Sequence, residues 1–469
     1  MPKSKQPSTR IERDSMGEVE VPVDALYGAS TQRAVLNFPI SGQGMPRRFL
    51  RALALVKLAA AETNGELGLL DPDVAAAIAA AAASVADGDH DDQFPIDIYQ
   101  TGSGTSTNTN MNEVVARLAS ARLGGRAVHP NDDVNRCQSS NDTIPTALQL
   151  SAAMAIEEEL LPALERLHTA LVAKEQEFWP VVKTGRTHLQ DATPIRLGQE
   201  FRGYAGQVEE SLRRARAAQA ELLEVPLGGT AVGTGINAHP EYAFRACVRL
   251  SALTGLTVRE TANHFHAQAS LDATIAAHGA IRTIALSLWK IASDIRLMGM
   301  GPRAGLGEVA LPETQPGSSI MPGKVNPVIV ESLLMVVARV VGNDATIAFA
   351  QTGSLLELNL MLPVTADALL DSITLLAAAA DNFSARAIEG LAATDRGPQL
   401  VERGLMLATA LAPVIGYDEA AKLAKAALKS GRTIRELALE RGMDPAELDR
   451  LLDPAAMTEP GLEGGAGGG

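Results

Sequence analysis

Long stretches with the hydrophobic spacing of an α-helix most restrict the fold of this chain of 469 residues. A helix rises 1.5 Å per residue, so a stretch of about 25 to 30 residues extends for roughly 40 Å, more than a compact single domain needs. The apolar residues cover more than one face, which predicts a bundle whose helices are buried on several sides, including against other subunits. The stretches are 151–179, 199–224, 270–298, 328–350 and 365–390.

Shorter helices are predicted on either side of these stretches. One begins at Phe49 and stops near Gly65, and a second begins at Asp71-Pro72, a pair typical of a helix start, and continues through Ala83. Two more cover 399–411 and 418–430. Aromatic residues make up only 3 % of the chain, and alanine, leucine and valine supply the missing volume, which favours close-packed helices over sheets. The alternation typical of a doubly wound sheet is absent.

The predicted fold is therefore mainly α, and its length indicates several domains. We expect a mixed and helical N-terminal domain over 1–140, in which 1–48 has no long helical period and can hold short strands. A central long-helix bundle is expected over 141–395. A small helical domain is expected over 396–469, with a flexible glycine-rich tail from about residue 461.

Charge and composition argue against several classes of protein. The chain has 55 acidic and 41 basic side chains, a net charge of −14, whereas a nucleic-acid partner requires a basic face. The sequence has no run of eighteen apolar residues, and 1–10 lacks the apolar segment of a secretory signal, so we expect no membrane span and a cytoplasmic location. Cys137 and Cys247 are too few for a disulfide framework or a four-cysteine zinc site and are expected to be reduced.

Four segments rich in small polar residues interrupt the helical patterns, and each is predicted to lie just before a helix. The N-terminus of a helix presents free backbone N–H groups and the positive end of the helix dipole, to which serine and threonine add hydroxyl donors. Several such ends together would form a site for a small polycarboxylate. The segments are 101–108, 138–143, 185–190 and 317–327.

Two other patterns are rejected as nucleotide sites. The segment 317–324 has five residues between its glycines and a valine after Lys324, so it is not a P-loop, and 228–235 is interpreted as a tight, mobile turn. Among the histidines, His188 lies in a donor-rich segment and is a catalytic candidate, and the turn at His129 is a candidate for a second anion. His264 and His266 point to different faces of a helix, which argues against a shared metal.

The segment 317–327, GSSIMPGKVNP, is similar to the signature of the fumarase/aspartase superfamily, a group of lyases that release fumarate or a related alkene. The segments 101–112, 138–143, 185–194 and 228–235 resemble the other blocks of that superfamily and occur in the same order. The resemblance covers roughly 10 to 450.

Within the superfamily the chain most resembles the class II, iron-independent fumarate hydratases. His188 and Gly323 match that branch, where aspartases carry glutamine and alanine, and 129–133 matches its accessory carboxylate site. The segment 263–267 departs from it, because His264 and His266 replace a lysine and a glutamate, and 302–306 is similar to aspartases. Two alternatives therefore stay open, an ammonia-lyase that acts on aspartate and a non-catalytic helical scaffold.

The resemblance implies reversible hydration of fumarate to L-malate in the tricarboxylic acid cycle, without a cofactor or metal. It also implies a homotetramer around a central helical core, with each active site built from three subunits. The implied catalytic residues are Ser318 as the base and His188, paired with Glu331, on the water. The implied substrate-binding residues are Ser103, Gly104, Thr105, Ser139, Ser140, Asn141, Thr187, Ser319, Lys324, Val325 and Asn326, and the implied accessory carboxylate site comprises His129, Pro130, Asn131 and Asp132.

Overall fold

The computed structural model describes Ser8–Gly461, and most of these residues lie in helices. The α-helices are α1 (Ala29–Asn37), α2 (Arg47–Glu66), α3 (Pro72–Asp87), α4 (Thr105–Arg122), α5 (Ser140–Ala155), α6 (Leu161–Phe178), α7 (Leu197–Leu222), α8 (Tyr242–Thr254), α9 (His264–Ala269), α10 (Asp272–Met298), α11 (Val328–Ala350), α12 (Leu362–Phe383), α13 (Arg396–Val401), α14 (Ala412–Ile415), α15 (Tyr417–Ser430), α16 (Ile434–Glu440) and α17 (Pro445–Leu451). The mainly α prediction is confirmed. The predicted glycine-rich tail lies, from residue 462 onward, outside the described residues.

The strands form two-stranded pairs throughout the described chain. Antiparallel pairs join β1 to β2, β3 to β4, β7 to β10 and β8 to β9, whereas β5 and β6 are parallel. The strands are β1 (Thr9–Asp14), β2 (Gly17–Pro22), β3 (Val182–Thr187), β4 (Gln190–Arg196), β5 (Glu224–Val225), β6 (Arg259–Glu260), β7 (Val309–Ala310), β8 (Ser354–Leu355), β9 (Leu358–Asn359) and β10 (Ala392–Ala393).

The predicted helices occur at the expected places, with differences at their ends. The predicted start of α3 is confirmed, because the Asp71 side chain accepts a hydrogen bond from the backbone N–H of Asp73, but the helix continues to Asp87. The stretch 151–179 is not one helix, since the π-helical turn Ile156–Leu160 separates α5 from α6. Pro162 lies just after this turn, and its missing N–H removes a hydrogen bond from the otherwise continuous helix, which fits the wider turn there.

One compact unit comprises Met1–Pro162, Arg213–Ala285 and Val336–Ala377. Its core includes α2, much of which is buried and lined with alanine, so that α3 and α5 pack closely against it. This unit holds the starts of α4 and α5, where two of the polar segments lie.

A second compact unit comprises Ala163–Leu212, Leu286–Met335 and Ala378–Gly469. It contains the β3–β4 hairpin, the segment 317–327 and a small C-terminal core. That core includes Leu411, Leu423, Ala438 and Leu448, which are fully or almost fully buried. The division into three domains at 140 and 395 stays a prediction.

Helix α11 leaves an apolar side exposed. With the turn after it, as Val328–Gly353, it is long and apolar enough to cross a membrane, as is Leu362–Ile388 at α12. The window is 33 % buried for the first helix and 67 % for the second. We call one exposed row, at alternating spacings of four and three residues, the α11 stripe: Glu331, Met335, Ala338, Gly342, Ala345 and Phe349.

Candidate active site

The segment 101–108 forms the end of a loop and the first turn of α4, so it lies at a helix start as predicted. Gly104 precedes the helix with φ of +72°, a conformation that favours glycine, and a side chain there would crowd Ile144. The hydroxyl groups of Ser103 and Thr105 are hydrogen-bonded at 2.8 Å. Ser103 is buried and Thr105 is exposed, so Thr105 is the accessible residue of the pair.

The second polar segment forms the start of α5, also as predicted. The Ser139 hydroxyl accepts a hydrogen bond from the backbone N–H of Asn141 at 3.2 Å, and the Asp142 carboxylate accepts one from the N–H of Ser139 at 2.9 Å. The Asn141 side chain donates to the carbonyl oxygen of Ala231 at 2.8 Å. These contacts fix three consecutive predicted binding residues, 139–141, on one helix end.

Asp142 links that helix end to the segment 228–235. The buried Asp142 carboxylate accepts hydrogen bonds from the backbone N–H groups of Gly228 at 3.0 Å and Thr230 at 2.9 Å. Burial raises the pKa of Asp142, while the backbone N–H groups act to lower it. Gly228, Thr230, Gly233 and Gly235 have positive φ, which confirms the predicted tight turn.

An open cavity of about 880 Å³ lies beside this helix end. Its lining brings Ser139 and Ser140, predicted to bind substrate, together with Asn131 and Asp132 of the predicted accessory site. The exposed His129 precedes the π-helical turn Pro130–Val134, and its Nδ1 atom accepts hydrogen bonds from the N–H groups of Asn131 and Asp132. The remaining lining residues are Leu69, Asn135, Arg136, Cys137, Gln138, Thr230, Ala231, Ile236, Asn237, Ala238, His239 and Pro240.

The third polar segment does not start a helix, which corrects the sequence prediction. Thr187 pairs with Gln190 across the β3–β4 hairpin, so His188 and Leu189 form its two-residue turn. Their φ values of +55° and +58° fit a type I′ turn, which asparagine and glycine usually occupy. Thr187 and His188 are therefore displayed at an exposed hairpin tip rather than at a helix dipole.

Charged side chains brace the base of this hairpin. Glu308, which is 1 % exposed, accepts two hydrogen bonds from the Arg186 guanidinium, at 2.9 and 3.0 Å. The buried Lys183 ammonium lies 3.0 Å from the Glu308 carboxylate and 2.9 Å from that of Glu200. The strand that presents Thr187 and His188 is thereby held in place by ion pairs.

The fourth polar segment forms a closed loop before α11. Gly317 lies against the carbonyl oxygen of Lys324, where a side chain would collide with backbone, and the Asn326 side chain donates to the carbonyl oxygen of Gly317. The Ser318 hydroxyl accepts hydrogen bonds from the N–H groups of Ile320 at 3.3 Å and Met321 at 3.0 Å.

The other predicted residues of this loop face outward. Ser319, Lys324 and Val325 are exposed, and Glu331 is exposed in the first turn of α11. No hydrogen bond or ion pair joins His188 to Glu331 within the described part of the second unit. The predicted pair is thus not formed within one chain.

Sequence reasoning missed the polar side chains beneath the site. Asp142 lies three residues after Ser139, and this serine-to-aspartate spacing resembles a capping box, so the pattern alone could have singled it out. Asn108 and Gln138 lie in the polar segments 101–108 and 138–143 but received no role, and Asn135 lies outside them.

Comparison with known proteins identifies the family. A family model described as lyase matches residues 17–342, and another described as fumarase C C-terminus matches 407–459. The class II fumarate hydratase of Methylorubrum extorquens AM1 is 51 % identical over 97 % of this chain and 98 % of its own length. That of Mycobacterium tuberculosis H37Rv is 53 % identical over 96 % of each chain. The chain belongs to the class II fumarate hydratase family.

The solved structures agree with membership of the class II fumarate hydratase family. The crystal structure of recombinant class II fumarase from Schistosoma mansoni matches this chain with a TM-score of 0.94 and 38 % identity, covering 96 % of this chain and 99 % of that one. The three relatives named here all carry fumarase names, which favours the hydratase branch over the ammonia-lyase alternative.

The two histidines at which this family member departs from the usual pattern have separate partners. His264 Nε2 lies 3.2 Å from the carbonyl oxygen of Leu227, and His266 Nε2 lies 2.8 Å from the Asp272 carboxylate. His264 therefore packs against the base of the 228–235 turn, whereas His266 faces the start of α10. Across residues 8–461, no group of three or more histidine, cysteine, aspartate or glutamate side chains is arranged to hold a metal ion.

Proposed function

We propose that this chain catalyses the reversible hydration of fumarate to L-malate, the fumarase step of the tricarboxylic acid cycle. The observation that carries the proposal is the start of α5, where Ser139 and Ser140 line a cavity with neutral hydrogen-bonding groups. Such groups suit a small dicarboxylate, and the family's full-length relatives are fumarate hydratases.

The chemistry requires stabilisation of a difficult intermediate. In the malate direction, a proton leaves a carbon beside a carboxylate, which places a second negative charge on that carboxylate. We assign Lys324 and Asn326 to this group, because a charged donor makes a stronger hydrogen bond than a neutral one. The remaining carboxylate contacts are assigned to Ser103, Gly104, Thr105, Ser139, Ser140, Asn141, Thr187, Ser319 and Val325.

Ser318 is assigned as the base that takes the carbon-bound proton. A serine hydroxyl is a weak base unless its alkoxide is stabilised. The two N–H groups that donate to Ser318 Oγ, from Ile320 and Met321, supply such stabilisation, because donors lower the energy of a negative oxygen. His188, with Glu331, is assigned to the water on the opposite face of the substrate.

We infer that the active site is shared between copies of the chain in a homotetramer. Glu331 begins the α11 stripe, whose alanines and glycine allow close approach of another helix. Burial of this stripe against a second copy would cover its apolar residues and bring Glu331 toward His188 of that copy. We propose that three copies of the chain contribute to each active site. We also propose that a second carboxylate binds at His129–Asp132 and that the protein is cytoplasmic.

Incubation of the purified protein with L-malate and, separately, with L-aspartate tests the function. The double bond of fumarate absorbs in the ultraviolet, so release of the alkene is followed directly. We expect alkene from malate and none from aspartate. Alkene from aspartate would transfer the assignment to the ammonia-lyases, and none from either substrate would favour the scaffold interpretation.

A further inference from the structure

Lys57 is a fully buried lysine beneath the start of α5. Its Nζ atom, on α2, donates hydrogen bonds to Asn135 Oδ1 at 3.0 Å and Gln138 Oε1 at 2.9 Å. Both acceptors are neutral amides. An ammonium group buried without a carboxylate partner is costly, so a position like this calls for a role besides packing.

The ammonium group fixes the orientation of both amides. Because it can only donate hydrogen bonds, the two amide oxygens face Lys57 and the amide nitrogens face away. Asn135 Nδ2 donates to the carbonyl oxygen of Gln138 at 3.1 Å, and Gln138 Nε2 donates to that of Val134 at 3.1 Å. The hydrogen bonds from Lys57 therefore fix the conformation of the turn that precedes Ser139.

Asn108 extends this fixed direction of hydrogen bonding from Asn135 to Ser140. Asn108 Nδ2 donates to Asn135 Oδ1 at 3.2 Å and to Ser140 Oγ at 3.0 Å. Asn108 Oδ1 is buried without a hydrogen-bond partner, so this orientation is imposed by the acceptors around the nitrogen. Since Ser140 Oγ accepts from Asn108, its own hydrogen is left to donate toward the cavity that it lines.

We propose that Lys57 is a positioning residue that sets the polarity of the chain Asn135–Asn108–Ser140, so that the Ser140 hydroxyl donates to a carboxylate in the cavity. The inference rests on the proposed function, in which Ser140 binds the substrate. Without the ammonium group, the amides can turn and present Asn108 Oδ1 to Ser140. The hydroxyl then donates inward and is lost to the anion.

The positive charge of Lys57 also favours binding of an anion in the cavity. Burial lowers the pKa of Lys57 to about 7, and the carboxylate of Asp142, on α5, partly opposes that shift. The groups that face Lys57 from α4 and from the turn at Asn135 are uncharged amides. Protonated Lys57 thus adds a positive field close to a site for dianions.

Steady-state kinetics of Lys57→Met with fumarate tests the proposal. We expect KM to rise about tenfold and kcat to change less than threefold, since the lost donor serves binding. Lys174→Met is the matched control. Lys174 is also largely buried, but its ammonium contacts Glu177 and the carbonyl oxygen of Leu391, so its KM should stay at the wild-type value.

A double-mutant cycle separates positioning from general damage to the fold. In a Ser140→Ala background, Lys57→Met should raise KM less than threefold further, because the hydroxyl that it orients is gone. Asn108→Asp, whose carboxylate can accept a hydrogen bond from Ser140 but cannot donate one, keeps Lys57 and should turn the hydroxyl inward. It should therefore reproduce the rise, and it decides the question if Lys57→Met does not fold.

An unchanged KM in both Lys57→Met and Asn108→Asp would overturn the proposal, as would full additivity with Ser140→Ala or an equal rise in Lys174→Met. A wild-type protein that does not hydrate fumarate refutes the proposed function instead. The two failures are therefore distinguishable.

Discussion

At the scale of single residues, Ser318 stands apart from the other hydroxyl groups of the site. Ser139 and Ser140 accept hydrogen bonds while lining the cavity, whereas Ser318 Oγ receives two backbone N–H groups in a loop that also carries Lys324. That setting favours a negatively charged oxygen on Ser318. The negatively charged form, the alkoxide, is the form in which a serine can act as a base.

We predict that Ser318→Ala lowers kcat by about 10²–10⁴-fold, the range typical of a lost acid–base group. His129→Asn is the control, because His129 belongs to the separate turn at 129–133 and should leave kcat nearly intact. Initial rates with L-malate provide the measurement. Full turnover by Ser318→Ala would remove Ser318 from the role of base.

The buried Lys57 gives stability a dependence on pH. Its folded pKa, about 7, lies below the ordinary lysine value of 10.5, so between these values the unfolded chain binds more protons than the folded one. The cost of burying the ammonium is therefore full below pH 7 and declines as the pH rises toward 10.5.

We predict that Lys57→Met is more stable relative to the wild type at pH 6 than at pH 9. Thermal denaturation midpoints of both proteins, measured across that interval, give the comparison. A difference in midpoint that does not change with pH would show that Lys57 stays charged in the folded protein throughout that interval.

At the scale of elements, the loop 317–327 depends on close backbone approach. A side chain on Gly317 would collide with the carbonyl oxygen of Lys324, whereas one on Gly323 would meet open space. Gly323 has φ of +78°, so an alanine there faces conformational strain of about 1 kcal/mol but no collision.

We predict that Gly317→Ala lowers kcat/KM at least about 100-fold, because displacement of a catalytic loop by about 1 Å can cost that much. Gly323→Ala should lose clearly less activity. The melting temperatures of both variants should stay close to that of the wild type, since the loop is largely exposed. Equal losses in the two variants would contradict the importance of the Gly317 contact.

Helices were predictable from the sequence to a greater extent than hairpins and buried polar groups. The apolar pattern of α7, α10, α11 and α12 is regular and extends over many residues, so it predicts the positions of these helices well. The β3–β4 hairpin was missed because its turn is His188-Leu189, without the asparagine or glycine that signals a type I′ turn. Lys57 lies among apolar residues of α2, where no pattern marks it as polar and functional.

The four polar segments were found from composition alone, whereas the expectation that one chain does not bring them all together came from the family resemblance. Sequence order says nothing of which loops face each other, and the structure gathers the residues of 131–140 around one cavity in the first unit. Thr187, His188 and the loop 317–327 belong to the second unit. No contact joins His188 to Glu331 within the described part of the chain, so their pairing stays a prediction that rests on the proposed assembly.

At the scale of the whole molecule, the α11 stripe is the surface on which the proposed assembly rests. Met335 and Phe349 are 69 % and 66 % exposed, on a helix apolar enough for a bilayer. Between them Ala338, Gly342 and Ala345 leave a shallow surface that another helix can approach. Such a surface is costly to leave in water and fits a second copy of the chain.

We predict that Met335→Glu lowers the assembly mass and the activity together, because a carboxylate buried between helices is unfavourable. Leu428→Glu is the control, since Leu428 is similarly exposed, at 71 %, on α15 of the C-terminal core. It should retain both properties. Sedimentation and activity are measured on the same samples over a dilution series, and an active monomer would refute the shared site.

The carboxylate of Asp142 has a consequence for how such enzymes can diverge or be recombined. It joins the helix start at Ser139 to a glycine turn that begins 86 residues later in the chain. A lengthened or exchanged turn would pull on the anchored Asn141 amide even though the two stretches are remote in sequence. A chimera that exchanges only the helix start or only the glycine turn would combine segments that do not fit each other. Both segments should therefore be exchanged together.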